Sequence, residues 1–232
     1  MFPLFRSGYA ASGERLTITI KNLLCLLCRE TAVRELFHDR QRDYFVCGRC
    51  HIIFVPPEQW LSEAEEKAAY DHHRNSPTDP DYRRFLSRLF FPLQNRIAPG
   101  SHGLDFGSGP GPTLSIMFKE IGHTITLYDY FYANNPAALR QTYDFITATE
   151  VVEHLHDPAN ILWQLWTLLK PGGYLGLMTK LLKDRDAFAT WHYKNDRTHV
   201  CFFSKATFEW LADQWHTEVE FSGNDVILFH KP

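Results

Sequence analysis

The sequence has few cysteines, no long apolar segment and little net charge, and each of these properties excludes some classes of protein. It has only five cysteines in 232 residues, and four of them form two close pairs, which in a reducing compartment indicates metal binding rather than disulfides. It contains no apolar run long enough to cross a membrane, and its opening residues, interrupted by Arg6, do not resemble a secretory signal. We therefore expect a cytoplasmic protein without a membrane partner. The net charge of −3 gives no overall field that would attract a polyanion.

Strand-like and helix-like segments alternate from Gly103 onward, which predicts an α/β fold. Short apolar runs such as HGLDF, TITLYD and YDFITATE are separated by amphipathic segments with helix caps and glycine stops. This alternation indicates a doubly wound, mainly parallel sheet that binds its ligand at the carboxyl ends of the strands. Further upstream, Ser62 and Glu65 predict a capped helix, and Asp79-Pro80 predicts a second helix interrupted at Pro92.

A glycine-rich turn follows the first strand of this region. Its residues Asp105, Gly107, Gly109 and Gly111 have the spacing D-x-G-x-G-x-G. Glycine allows positive φ angles and a close approach of the backbone to a ligand, and the amides of the next helix face the same place. Asp129 ends the following strand, where a carboxylate can accept hydrogen bonds from both hydroxyls of an adenosine ribose. The spacing predicts a nucleoside site.

This arrangement resembles motif I of the class I S-adenosylmethionine (SAM) methyltransferases, and the segments YDFITATEVVEHL and LLKPGGYLGLMT extend the resemblance. It implies SAM as cofactor and a Rossmann-like sheet of seven strands. Only fourteen residues separate Asp129 from Asp144, so we expect the third strand of the family to be absent or abbreviated. Tyr130 and Phe131 are candidates to stack on adenine, and Glu150 is a further cofactor-binding candidate.

A second group of polar residues follows the fourth strand. Glu150, Glu153 and His154 have i, i+3, i+4 spacing, which places them on one face of a helical turn. Carboxylates with imidazoles suit Mg²⁺, Mn²⁺ or Zn²⁺. Two interpretations stay open: the group binds a divalent cation, or the glutamates are solvated and the histidine caps a helix.

The motif E-x-x-E-H with a later histidine resembles the metal site of ubiquinone-biosynthesis O-methyltransferases and of small-RNA 2′-O-methyltransferases. The resemblance implies His199 as the further ligand, with His192 in reserve. It also suggests His154 or His192 as the catalytic group that takes the acceptor's proton. Trp191 and Tyr193 are either walls of the acceptor pocket or core aromatics.

The four paired cysteines predict a structural zinc site. Cys25, Cys28, Cys47 and Cys50 have the spacing C-x₂-C-x₁₈-C-x₂-C, which is typical of a tetrahedral four-thiolate zinc ribbon. We expect Asp39 to Asp43 to form a polar loop between the ribbon strands. The fifth cysteine, Cys201, lies in an apolar run and is expected in the core.

These patterns divide the chain into a tail (1–20), a zinc ribbon (21–56), a helical lid or linker (57–99) and a SAM-binding domain (100–232). Two interpretations stay open for Tyr70, His72 and Asn75 of the lid: they face the site, or they are exposed at the surface. The expected function is methyl transfer from SAM to a small-molecule acceptor with a hydroxyl group. The alternatives are an RNA methyltransferase that binds nucleic acid through its ribbon, and a non-catalytic SAM-binding protein. The sequence does not indicate an oligomeric state.

Overall fold

The computed structural model describes residues 23–72 and 75–232, so the predicted tail lies outside the described residues. The described part of the chain begins with a loop and three antiparallel strands, β1 (Val33–His38), β2 (Asp43–Cys47) and β3 (Ile53–Phe54). One cysteine pair lies on the loop before β1, and the other lies at the end of β2 and in the turn after it. This is the ribbon that the cysteine spacing predicts.

Two helices follow the ribbon, α1 (Glu63–Tyr70) and α2 (Pro80–Gln94). The predicted capping box is present, because the Ser62 hydroxyl accepts from the Glu65 amide while the Glu65 carboxylate accepts from the Ser62 amide. Asp79 caps α2 in the same manner, with Pro80 in the first helical position.

The predicted interruption at Pro92 is wrong. Helix α2 continues through Pro92 and ends two residues later, at Gln94. A proline removes one helical hydrogen bond and crowds the carbonyl four residues earlier, but here the lost bond lies in the last turn. The flanking residues Leu89 and Leu93 are fully buried against the sheet, and this packing keeps the last turn helical.

The remaining strands and helices form the main domain. They are β4 (His102–Phe106), α3 (Thr113–Glu120), β5 (Thr124–Tyr128), β6 (Tyr143–Thr149), α4 (Pro158–Leu168), β7 (Leu169–Met178), β8 (Cys201–Phe202), α5 (Lys205–Trp215), β9 (Val219–Ser222) and β10 (Val226–His230). The main sheet has the order β5-β4-β6-β7-β10-β9. Strands β5, β4, β6 and β7 are parallel, whereas β10 is antiparallel to both of its neighbours.

Helices cover both faces of this sheet. Helices α2 and α3 pack on one face, around Phe118 and Phe145, and α4 and α5 pack on the other, around Trp166 and Phe229. Helix α2 approaches β7 so closely that a Cβ at Gly176 would lie 2.9 Å from Leu89 Cδ1. Helix α2 is therefore part of the sheet domain, although it falls in the predicted lid segment. The predicted α/β, mainly parallel fold is confirmed.

The sheet has six strands because the segment after β5 is abbreviated, as expected. Asp129 and Ala133 exchange two backbone hydrogen bonds of 3.1 Å, and the chain then makes only a short 3₁₀ turn, Pro136–Arg140, before β6. This tight turn fixes the segment after Asp129, which lies beside the glycine loop.

The ribbon is continuous with the main domain. Strand β8 pairs antiparallel with β3, placing Phe54 opposite Cys201, so the ribbon sheet has the order β1-β2-β3-β8. The Val55 amide also donates to the Val200 carbonyl. One core cluster includes side chains from both parts. Among the residues that the structure describes, no helix is long and apolar enough to cross a bilayer.

Candidate functional site

The four paired cysteines converge on one point. Their Sγ atoms all lie within 4.8 Å of one another, with 3.4 Å from Cys25 to Cys50 and 3.4 Å from Cys28 to Cys47. Zinc–thiolate bonds of about 2.3 Å place tetrahedral sulfurs about 3.8 Å apart. The spacing and the soft donor set fit zinc.

Backbone amides in the cysteine turns point at the sulfurs. The amides of Leu27 and Cys28 lie 3.4 and 3.5 Å from the Cys25 sulfur, and the Arg49 amide lies 3.3 Å from that of Cys47. Such donors stabilise a thiolate. Burial, together with the charge of the neighbouring Cys25 sulfur, acts in the opposite direction and raises the pKa of Cys28 to about 12. A bound cation would resolve this conflict by holding the sulfurs as thiolates.

The glycine loop connects β4 to α3 and closes on Asp129. Gly107 and Gly109 have φ angles of 73° and 63°, which disfavour any side chain. At Gly107 a Cβ would also lie 2.4 Å from Val151 Cγ2. The Gly109 amide donates to Asp129 Oδ2 at 2.8 Å, and the Phe131 amide donates to Oδ1 at 2.9 Å. The carboxylate at the end of β5 is thereby fixed beside the loop.

Residues of the predicted lid cover this loop. A Cβ at Gly111 would lie 2.2 Å from the Asn75 carbonyl oxygen, and the Asn75 amide side chain donates to the Tyr82 hydroxyl at 3.0 Å. Tyr70 contacts the His154 ring edge-on, with centroids 5.3 Å apart. Tyr70 and Asn75 therefore reach the site, whereas His72 is exposed.

Asp105 lies beneath the glycine loop and holds it to the sheet. Its buried carboxylate accepts from the Ser115 hydroxyl at 2.7 Å and from the Thr147 hydroxyl at 2.9 Å. Burial raises the pKa of Asp105 despite these donors. The side chain links β4, β6 and α3, so it positions the loop from below.

The two predicted adenine contacts differ in exposure. Tyr130 is 56% exposed, whereas Phe131 is half-buried and lies 5.8 Å from the Tyr70 ring. Phe131 therefore faces the lid side of the cleft.

Glu150 occupies a backbone conformation that is uncommon for a residue with a side chain. Its φ angle is 53°, and its amide donates to the Met178 carbonyl at the end of β7 at 2.7 Å. Its Oε2 accepts from the Tyr193 hydroxyl at 3.3 Å. Burial and the charge of Glu153 raise the pKa of Glu150 to about 8.

Three of the four predicted ligands of the second cation form one cluster: Glu153, His154 and His199 each offer an atom within 4.8 Å of the others. His154 Nδ1 lies 3.1 Å from the Thr198 carbonyl, and His199 Nδ1 lies 2.8 Å from the Tyr193 carbonyl. A carbonyl can only accept, so both Nδ1 atoms carry the proton. In a neutral imidazole with this tautomer, Nε2 is the nitrogen that carries the lone pair, as in metal-binding histidines.

The Glu153 carboxylate is entirely buried. Its Oε1 accepts from the Tyr193 hydroxyl, but its Oε2 has no hydrogen-bond partner in the described part of the chain. Burial raises the pKa of Glu153 to about 7, and burial together with His154 lowers the pKa of His199 to about 4. A buried carboxylate with an oxygen that has no partner among the described residues, clustered with two imidazole rings, is a donor set that fits a divalent cation.

Two other predicted residues lie outside this cluster. His192 is exposed, with its Nε2 3.1 Å from Lys180 Nζ. Glu150 is connected to the cluster through the Tyr193 hydroxyl, whose single proton lies within hydrogen-bonding reach of both carboxylates. The sequence analysis did not predict that Tyr193 connects Glu150 to the cluster. The signal available in the sequence was its position between two candidate ligands, His192 and His199.

Comparison with known proteins agrees with this architecture. The methyltransferase domain family matches residues 70–218, more than half of the chain. The ubiquinone biosynthesis O-methyltransferase of Proteus mirabilis (strain HI4320) is 32% identical over 84 residues, covering 36% of this chain and 34% of that protein. The corresponding protein of Vibrio vulnificus (strain YJ016) is 31% identical over 77 residues, covering 33% of each. The chain thus spans about one third of the length of these relatives.

A solved structure shares the fold. The 1,6-didemethyltoxoflavin-N1-methyltransferase of Burkholderia thailandensis, solved with S-adenosylhomocysteine (SAH), has a TM-score of 0.50 and 16% identity, covering 85% of this chain and 99% of that one. At this identity the likeness extends to the fold alone. Together with the family match, it confirms the predicted class: the chain belongs to the methyltransferase domain family of class I SAM-dependent methyltransferases.

Proposed function

We propose that the protein transfers the methyl group of SAM to a hydroxyl oxygen of a small acceptor, assisted by a divalent cation at Glu153, His154 and His199. The observation that carries the proposal is the buried Glu153 carboxylate, whose Oε2 has no hydrogen-bond partner among the described residues, in one cluster with the rings of His154 and His199. Burying a carboxylate oxygen without a partner is costly, and a cation would remove that cost. The names of the relatives, ubiquinone biosynthesis O-methyltransferases, favour oxygen as the acceptor atom.

The glycine loop and Asp129 would bind the cofactor. Gly109 leaves open space beside Asp129 for the methionine and ribose parts, whereas Gly107 and Gly111 let Val151 and Asn75 pack against the loop. The Asp129 carboxylate would accept from the ribose hydroxyls. In the present structure this carboxylate accepts from the Gly109 amide. Binding would therefore share or replace that hydrogen bond, which links the position of the loop to the presence of the cofactor.

Glu150 is the group that we propose as proton acceptor. His154 was predicted for this role, but its Nδ1 donates to Thr198 and its Nε2 would be used by the cation. His192 is exposed and contacts Lys180. The Glu150 pKa of about 8 lies near neutrality, where a carboxylate is effective in general base catalysis.

The cation would bind the acceptor oxygen and lower the pKa of its hydroxyl. The protein's own contribution is alignment and exclusion of water. Asn75 lies over Gly111 of the glycine loop and donates to the Tyr82 hydroxyl, and Tyr70 lies against His154. These side chains would close the cleft around the reacting groups. Zinc in the ribbon would have a structural role, held by the four cysteines.

A methyl-transfer assay tests the proposal. Labelled SAM is supplied with a panel of small dihydroxy aromatic compounds, with and without added Mn²⁺ or Mg²⁺, to protein that carries its ribbon zinc. We expect turnover that requires the added ion and is lost in Glu153→Gln, while SAH binding persists. The matched control, Glu209→Gln, changes an exposed glutamate of α5 and should behave as wild type.

The outcomes separate the alternatives. Metal-independent turnover would refute the role of the cation but keep the methyltransferase. Methylation of RNA in place of the small acceptors would support a nucleic-acid substrate. SAH binding without turnover on either substrate class would favour the non-catalytic alternative. The cytoplasmic location stays a prediction.

A further inference from the structure

A buried arginine of the ribbon contacts the segment that carries His199. Arg42 is only 4% exposed, and its guanidinium donates to four backbone carbonyls. Nη1 donates to Arg197 at 3.1 Å and to His199 at 2.8 Å, and Nη2 donates to Asp196 at 2.9 Å and to Lys194. All four acceptors lie within the segment 194–199, which has little regular structure to bond its carbonyls.

The same segment orients both histidines of the candidate cation site. The carbonyl of Thr198 accepts from His154 Nδ1, and the carbonyl of Tyr193, just before the segment, accepts from His199 Nδ1. A shift of this backbone would turn both rings and move their Nε2 atoms. The position of segment 194–199 therefore governs where the two imidazole rings lie relative to Glu153.

Neighbouring ribbon groups hold Arg42 in place. The Tyr44 hydroxyl lies 3.2 Å from Arg42 Nε and donates to Asp39 Oδ2 at 3.0 Å. Lys194 is also buried, and its ammonium donates to the same Asp39 oxygen at 3.2 Å. These side chains thus form a hydrogen-bond network between the ribbon and the main domain, rather than a single ion pair at the surface.

We propose that Arg42 is a positioning residue for the candidate cation site. It fixes segment 194–199 so that His154 and His199 present their Nε2 atoms to Glu153, and the ribbon thereby forms part of the site. The inference rests on the proposed function, since it assigns a task relative to the same three ligands. A lysine cannot replace Arg42, because an ammonium has fewer donors and lacks the planar fork that reaches four carbonyls.

The test compares Arg42→Lys with Arg40→Lys, a change of an exposed arginine two residues away. The first measurement is the Mn²⁺ affinity of the candidate cation site. Binding at this site is the part of the total Mn²⁺ binding that is lost in Glu153→Gln. The second is hydrogen–deuterium exchange of peptides covering 194–200. For Arg42→Lys we expect Mn²⁺ binding weaker by about tenfold and exchange faster by about tenfold in that segment, since charge-assisted hydrogen bonds are lost. Zinc content and SAH affinity should match the Arg40→Lys control.

The proposal requires both effects. If exchange rises while Mn²⁺ affinity is unchanged, Arg42 is merely structural and the proposal is overturned; unchanged exchange overturns it as well. If the wild type itself binds no Mn²⁺ at Glu153, the proposed cation site fails, and the exchange comparison alone then decides whether Arg42 fixes the segment.

A milder variant covers the case in which Arg42→Lys loses its zinc or unfolds. Tyr44→Phe keeps the ring but removes the hydroxyl next to Arg42 Nε. We expect Mn²⁺ binding weaker by only about threefold, because the four bonds from the Arg42 Nη atoms to the segment remain and only the support at Nε is lost. Wild-type affinity in a folded, zinc-loaded Tyr44→Phe would overturn the proposal.

Discussion

Glu153→Gln should weaken cation binding and yet stabilise the cation-free protein at high pH. The wild-type carboxylate is entirely buried, and its Oε2 has no partner among the described residues. Glutamine keeps the oxygen that accepts from Tyr193 but carries no charge. A residue that serves only packing or hydrogen bonding would give the opposite result, because most substitutions in a core destabilise.

The magnitude follows from the pKa of Glu153, which burial raises from 4.5 to about 7. The native state therefore holds the proton more tightly than the unfolded chain, and the wild type loses stability as the pH rises through this window. The loss between pH 5 and pH 8 amounts to about 2 to 3 kcal/mol. The glutamine side chain does not titrate, so the variant has no such loss. Any free-energy cost of burying its amide is the same at both pH values and cancels in the comparison.

The assay is thermal or urea unfolding at pH 5 and pH 8, on protein that metal analysis shows to contain zinc and no other divalent ion. Relative to wild type, the variant should gain roughly 5 to 10 °C in Tm between the two pH values, for a chain of this size. Glu209→Gln, on the exposed face of α5, serves as control and should show no such gain. If the difference in stability between Glu153→Gln and wild type does not change with pH, burial does not raise the pKa of Glu153, and the reasoning is refuted.

Three further substitutions test the other parts of the site. Asp129→Ala should weaken SAH binding by more than about tenfold in calorimetry, because a charged acceptor for the ribose is lost; unchanged affinity would contradict the ribose role. Cys47→Ser should abolish zinc binding and unfold the ribbon, whereas Cys201→Ala should keep about one zinc per chain. Gly107→Ala combines backbone strain with a clash and should reduce SAH affinity more than Gly122→Ala, where φ is also positive but an added Cβ meets nothing within 4 Å.

The sequence predicted the features that depend on interactions between residues close together in the chain. The capping box at Ser62, the cap at Asp79 and the glycine loop depend on residues a few positions apart. The abbreviated segment after Asp129 could be predicted by counting residues. The family match and the six-stranded sheet confirm the fold class, while the roles of the individual site residues stay predictions.

What the sequence could not indicate depends on contacts between distant segments. Arg42 looked like one of several charges in a polar ribbon loop, yet segment 194–199 buries it. Strand β8 looked like part of an apolar core run, yet it completes the ribbon sheet. Pro92 carried a strong local signal for a break, but packing of the flanking leucines outweighed it.

The place of β8 in the ribbon sheet has a consequence for synthesis. Strands β1 to β3 leave the ribosome long before β8, so the edge of β3 stays unpaired while the chain from α1 to β7 is being translated. An unpaired strand edge invites association with other chains. Early metal capture by the cysteines would hold the nascent N-terminal part compact during that interval, and nascent chains starved of zinc should be the ones that aggregate.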